Sequence, residues 1–207
     1  MRKLVLQMMT TLNGRLDSPF EWVSGVSEDQ YRAIETLYRS YDTILVGGTT
    51  YEEMVGYWPG ALDSGEGTDS NQAMAQHMHD YRKLVFSRDG KRELTPWHNS
   101  APVMAPDDAA LVAFITALKA QPGRDIQLSG GASLAQALIG LGLVDRFHFF
   151  VYPTVSPGMT WLDGLRGKFD LDLIGTTGFE NGVVQLSYES RERLDLGQPQ
   201  RFTELLA

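Results

Sequence analysis

Two apolar runs in this chain each stop at a pair of glycines. One is Ile44-Leu45-Val46-Gly47-Gly48-Thr49-Thr50-Tyr51-Glu52, the other Ile126-Gln127-Leu128-Ser129-Gly130-Gly131-Ala132-Ser133-Leu134. Each reads as a buried strand running through glycine into a helix. A helix N-terminus carries unpaired N–H groups and a partial positive charge, which favour an anion. Glycine lets a ligand approach the backbone closely. Two such junctions in one chain suggest a ligand with several phosphates, hence a nucleotide cofactor. The bland alternatives are a tight strand-to-helix turn at Gly130-Gly131 and simple capping of a helix by Thr49.

Other residues offer competing chemistry. Ser87-Arg88 with Lys91 and Arg92 follows an apolar run and suits a small basic pocket for a ribose phosphate, since arginine offers fork geometry. A solvated turn is the plainer option. Gly131-Ala132-Ser133-Leu134-Ala135 approximates a nucleophile elbow but departs from it at Ala135. The only later histidine, His148, lies inside an expected strand, which disfavours a serine hydrolase. His77 and His79 are two residues apart, so one helix face does not carry both, and a metal site is not supported. Trp22, Tyr57, Trp58 and Trp161 fall in expected loops or helix ends, where they can stack on a flat heterocycle or simply pack. The chain has no G-x-G-x-x-G and no G-x-x-x-x-G-K-[ST], which disfavours an ordinary dinucleotide-binding domain and a P-loop nucleotidase.

Composition narrows the chemistry further. The 207 residues are 43% hydrophobic and 21% charged, as in an ordinary globular protein, and suffice for one α/β domain over 1–207. The formal charge of −8 argues against general binding to nucleic acid or anionic membrane, both of which need a basic field. There is no cysteine, so thiolate catalysis and disulfides are excluded. The cytoplasm is the simplest compartment.

The elements that must carry the junctions follow from periodicity. Strands are expected at Lys3–Met9, Thr43–Val46, Leu84–Phe86, Val103–Met104, Ile126–Ser129 and Arg146–Tyr152. Ser27 with Gln30, and Thr49 with Glu52, match capping boxes, so helices are expected after each, the second short and ending at Val55. Trp58 to Ser70 reads as a long loop over a site, and further helices fit Asn71–His79, Pro106–Lys119 and Ala132–Gly140. Pro153 to Gly167 reads as a loop. Phe169–Thr176 and Val184–Tyr188 alternate around Asn181-Gly182, giving a hairpin. Alternating strands and helices with a final hairpin predict an α/β fold, a mostly parallel sheet with an antiparallel edge.

Taken in order, Thr11-Leu12-Asn13-Gly14-Arg15, Asp42 to Gly47, Thr50-Tyr51-Glu52, Tyr57-Trp58-Pro59, Lys83 to Arg88, Leu128 to Gly131 and Leu143-Val144-Asp145 resemble the dihydrofolate reductase-like superfamily. The chain is most similar to the reductase domain of the riboflavin-biosynthesis deaminase–reductase and its stand-alone relatives. The resemblance implies a dihydrofolate reductase-like eight-stranded sheet with helices on both faces and an antiparallel C-terminal hairpin. It implies NADPH as cofactor, hydride transfer to a small pterin-like or pyrimidine-like substrate, and a homodimer. It further implies that Gly130, Gly131, Ala132, Ser133 and Leu134 hold the pyrophosphate. Gly47, Thr49 and Thr50 would touch phosphate, and Ser87 and Arg88 would meet the adenosine ribose phosphate.

The sequence departs from that family at two points. Gly48 stands where an arginine is frequent, which leaves Arg88 as the main source of NADPH preference, and Asn13 stands where a carboxylate is common. Thr10, Thr11 and Asn13, at the end of the first strand, are expected to face the nicotinamide and substrate. Asp29 is the acid expected to anchor the substrate or relay a proton. These departures keep a second class open: a non-catalytic nucleotide- or pterin-binding protein of the same fold.

Overall fold

The computed structural model describes residues 1–88, 90, 93–160 and 169–191. Eight strands form one sheet: β1 (Leu4–Thr11), β2 (Tyr41–Gly47), β3 (Arg82–Ser87), β4 (Ser100–Met104), β5 (Asp125–Gly130), β6 (Arg146–Tyr152), β7 (Leu171–Gly178) and β8 (Val184–Ser190). Their spatial order is β4-β3-β2-β5-β1-β6-β8-β7. The first six strands pair in parallel, and β8 runs antiparallel to both β6 and β7. This is the architecture expected from the alternation of strands and helices.

Among the described residues five α-helices cover the sheet: α1 (Glu28–Tyr38), α2 (Gly48–Ser64), α3 (Asp69–Asp80), α4 (Asp108–Ala120) and α5 (Ala132–Gly140). Parallel strands covered on both faces are apolar almost throughout, and the alternation of their side chains divides the core in two. Leu4, Leu6 and Met8 of β1 join Ile126 and Leu128 of β5 against α4 and α5. Val5 and the partly buried Met9 join Ile44 and Val46 of β2 against α1, α2 and α3.

Two expectations are corrected. The segment after Val55 is not a loop: α2 continues through Pro59 to Ser64 and stops at Gly65, whose φ of 62° is left-handed. Buried Tyr51 and Met54 continue as a stripe to the partly buried Trp58, and packing of that stripe outweighs the proline. Neither capping box forms. The Ser27 hydroxyl donates to Asp29 Oδ1, which also accepts from the Gln30 N–H at 2.9 Å. The Gln30 amide reaches instead to the Tyr152 hydroxyl and accepts from Asn181. Glu52 binds Thr95, at 2.6 Å to its hydroxyl, and α2 already begins at Gly48.

Candidate functional site

Strand order brings the two glycine junctions together. β2 and β5 are neighbours, yet the chain leaves β2 toward β3 on one side and leaves β5 toward β6 on the other. Such a switch point opens a crevice at the carboxyl ends of the strands. At that end the register slips: Leu45 pairs with Leu128, but Val46 pairs with Gly130, so Ser129 is an extra residue in β5. The backbones are then in contact. A Cβ built on Gly131 would lie 3.2 Å from Gly47 Cα and 3.3 Å from Gly47 N.

Both helices that start here lack a side-chain cap. Gly47 is the N-cap of α2 and Gly131 that of α5, and neither has a side chain that accepts from the first turn. The chain supplies one at α3 and α4, though not at Ser27 before α1. The Thr68 hydroxyl accepts from Asn71 N in α3, and Asp107 accepts from Ala110 N in α4. The first-turn N–H groups of α2 and α5 therefore have no such acceptor, and their dipoles converge on the crevice.

A cavity of about 720 Å³ lies over this point. Its wall includes Gly47, Thr49, Thr50, Ser87, Arg88, Gly130, Gly131, Ala132, Ser133 and Leu134, so every expected phosphate-side residue reaches it. Lys91 and Arg92 lie outside the described residues. At the β3 end, Arg88 shares the wall with Asp107 and Asp108. On the α1 side the wall is Trp22, Tyr31, Tyr38 and Trp58 with Met74 and Met78, an apolar and aromatic surface suited to a flat ring. Of the aromatic residues singled out in the sequence, Trp22 and Trp58 line the cavity and Tyr57 does not. Trp161 lies outside the described residues.

Four expected residues do not reach this wall. The Thr10 hydroxyl donates to Arg15 O at 3.0 Å. The Thr11 hydroxyl accepts from Arg15 N and donates to Asn13 Oδ1 at 2.7 Å. The Asn13 amide spans to residue 156, donating to Ser156 O and accepting from Ser156 N. These groups are spent on closing the turn after β1. Asp29 accepts from Ser27 and Gln30 through Oδ1 and from Glu180 N through Oδ2 at 3.1 Å, tying α1 to the β7–β8 turn. The Ser27 hydroxyl, first among these partners, holds its carboxyl below the usual range.

Further residues that no motif announces line the wall. Asp17 is one, with its carboxyl held low by Arg15 and by the Met159 N–H. Tyr31 and Tyr38, both on α1, are two more. Burial raises both hydroxyls, which stay neutral. Gln7 and Gln127 also line the cavity, and their signal was visible: each is a lone polar residue in an apolar run. Buried His148 is pushed down to about 4 by desolvation and sits 2.8 Å from the Ser187 hydroxyl, off the cavity wall. No helix among the described residues is long and apolar enough to cross a membrane.

Known proteins share this fold. The chain is 28% identical over 188 residues to the uncharacterized protein YyaP of Bacillus subtilis, covering 90% of this chain and 94% of that one. A pyrimidine reductase-like protein from Corynebacterium diphtheriae superposes with a TM-score of 0.59 at 16% identity, covering 92% of each chain. Dihydrofolate reductase from Enterococcus faecalis, complexed with NADP(H), superposes with a TM-score of 0.57 at 10% identity, over 92% of this chain and 97% of that one. The fold is dihydrofolate reductase-like. The family described as the RibD C-terminal domain matches residues 2–184, and the chain belongs to it.

Proposed function

We propose that this protein is an NADPH-dependent reductase of a small pyrimidine-like or pterin-like heterocycle. One observation carries the reading: two uncapped, glycine-bounded helix N-termini meet at the β2/β5 switch point and open into one cavity with an aromatic wall. Family membership supports the same class of chemistry.

The residues fit the cofactor. Glycine at 130 and 131, with φ of 123° and 87°, removes the side chains that would fill the cradle. In this reading the α5 N-terminus, from Gly131 to Leu134, holds the pyrophosphate. Gly47, Thr49 and Thr50 contact phosphate from the facing side. Ser87 and Arg88 hold the adenosine ribose phosphate, although Asp107 and Asp108 at that end oppose a second negative group. When bound, the reduced nicotinamide supplies the hydride. The protein's own part is to bind, orient and exclude water. Trp22, Tyr31 and Trp58 clamp the ring, while Asn13 and Asp29 serve as positioning residues that hold the β1 turn and the hairpin. The reading carries the homodimer implied by the family resemblance and the cytoplasmic location expected from composition, and a solution mass measurement checks the first.

The test follows NADPH and NADH by thermal stability and then by oxidation against a panel of pyrimidinones and pterins. A ligand that binds only the folded state must raise its stability. Stabilisation by NADPH with oxidation by one panel member supports the reading. No stabilisation by either cofactor rejects it, and binding without oxidation favours a non-catalytic binding protein.

A further inference from the structure

We propose that Gln7 and Gln127 read an amide edge, a ring –NH–C(=O)–, on the substrate. This deepens the reductase reading and rests on it for the identity of the cavity.

Strand alternation sets up the pair. Gln127 pairs in register with Val5 on one side and with Ile44 on the other, so it lies on the face covered by α1. Gln7 is two residues beyond Val5 and shares that face. Both residues line the cavity, and Gln127 is only 1% exposed. In both side chains Oε1 is buried and has no hydrogen-bond partner. Buried polar atoms are rarely left so, because each gives up its water without replacement.

The same face shows what a satisfied arrangement looks like. In β6, His148 stands beside Gln7 in register, but its ring closes on Ser187 and Gln185. In the two glutamines of β1 and β5, both at the cavity wall, Oε1 finds no such partner. A carboxamide carries an acceptor and a two-proton donor side by side. Its complement is a ring amide, which presents a donor and an acceptor in the same spacing. Beside the glutamines the wall adds two neutral hydroxyl groups, those of Ser129 and Tyr38.

The test uses the full chain with and without NADP, and two probes. Lumazine (pteridine-2,4-dione) carries ring amide edges, and 1,3-dimethyllumazine is the same ring with both N–H groups methylated. Binding is read by quenching of tryptophan fluorescence, since Trp22 and Trp58 line the cavity. The wild-type protein is expected to prefer lumazine by about tenfold or more. Gln127→Leu and, separately, Gln7→Leu should bring that ratio close to one by weakening lumazine alone. NADPH affinity should stay within about twofold. Each leucine variant should also keep or raise the thermal midpoint, which a glutamine needed for structure would not allow. If one variant fails to fold, the other carries the test.

Equal binding of the two probes, binding of neither, or a ratio unchanged in the leucine variants overturns the proposal. An unchanged ratio would mean that the methyl groups are excluded by shape, or that a trapped water satisfies the glutamines. The reductase reading fails differently, through absence of NADPH stabilisation in the wild-type protein, whatever the probes do.

Discussion

The two glycine junctions are alike in sequence and unlike in backbone. Gly47, at the end of β2, has φ −79° and ψ 155°, extended geometry open to any residue. Gly130 and Gly131, at the end of β5, have φ of 123° and 87°, where a side chain is strained. A Cβ on Gly47 would meet Gly131 Cα at 3.5 Å, an ordinary contact, whereas a Cβ on Gly131 would press the Gly47 backbone at 3.2 Å. The same pair of letters thus has two causes. At 130–131 the fold itself requires glycine. At Gly47 the fold tolerates more, so a demand for glycine there comes from whatever lies against the strand end.

Substitutions separate these causes. The largest effect is expected from Gly131→Ala. Positive φ and the contact with Gly47 should cost about 2 kcal/mol or more of unfolding free energy, read by denaturant titration, with NADPH binding lost. A fully stable Gly131→Ala protein would erase the distinction between the junctions. Arg88→Ala should weaken NADPH about tenfold, roughly 1.4 kcal/mol, while leaving NADH unchanged. Equal losses for both cofactors would remove Arg88 from the ribose phosphate. Gly47→Ala should keep stability to within about 1 kcal/mol and weaken NADPH about threefold, in calorimetric titration. Gly48→Arg places at the first junction the arginine that family members often carry. It should tighten NADPH about threefold, and no change would mean that this junction does not touch phosphate.

The smallest effect on turnover belongs to Asp29→Asn. Its carboxylate ties α1 to the β7–β8 turn, so turnover should be unchanged and the thermal midpoint slightly lower. The sign of the pH effect follows from the lowered pKa. Asp29 supports the fold above the usual carboxylate range, and that support fades as pH falls toward its folded value. The variant should lack this part of the acid loss. A large fall in turnover at full stability would return Asp29 to the chemistry.

Much of this was legible in the chain. The strand–helix alternation, the hairpin and both junctions are written in local periodicity and glycine placement, and their backbone contact needed only the strand order. α2 was misread because Pro59 and the glycines around it signal a loop locally, while the Tyr51–Met54–Trp58 stripe is satisfied only once α3 and the sheet are present. Thr10, Thr11, Asn13 and Asp29 lie off the cavity wall, and the sequence does not announce it. Asn13 and Asp29 find partners at Ser156 and Glu180, and no local pattern announces a bond across that distance. Gln7 and Gln127 lie between these cases. Their polarity stands out in the sequence, but their shared face follows from the pairing of Val5 with Gln127.

The central claim is that the paired junctions form one dinucleotide site. Its most direct test is calorimetric titration of NADPH into the wild-type protein and into Gly131→Ala and Gly47→Ala. The account predicts one NADPH per chain in the wild-type protein, a modest loss in Gly47→Ala and abolition in Gly131→Ala. Absence of NADPH binding to the wild-type protein, or undiminished binding to both variants, would contradict it.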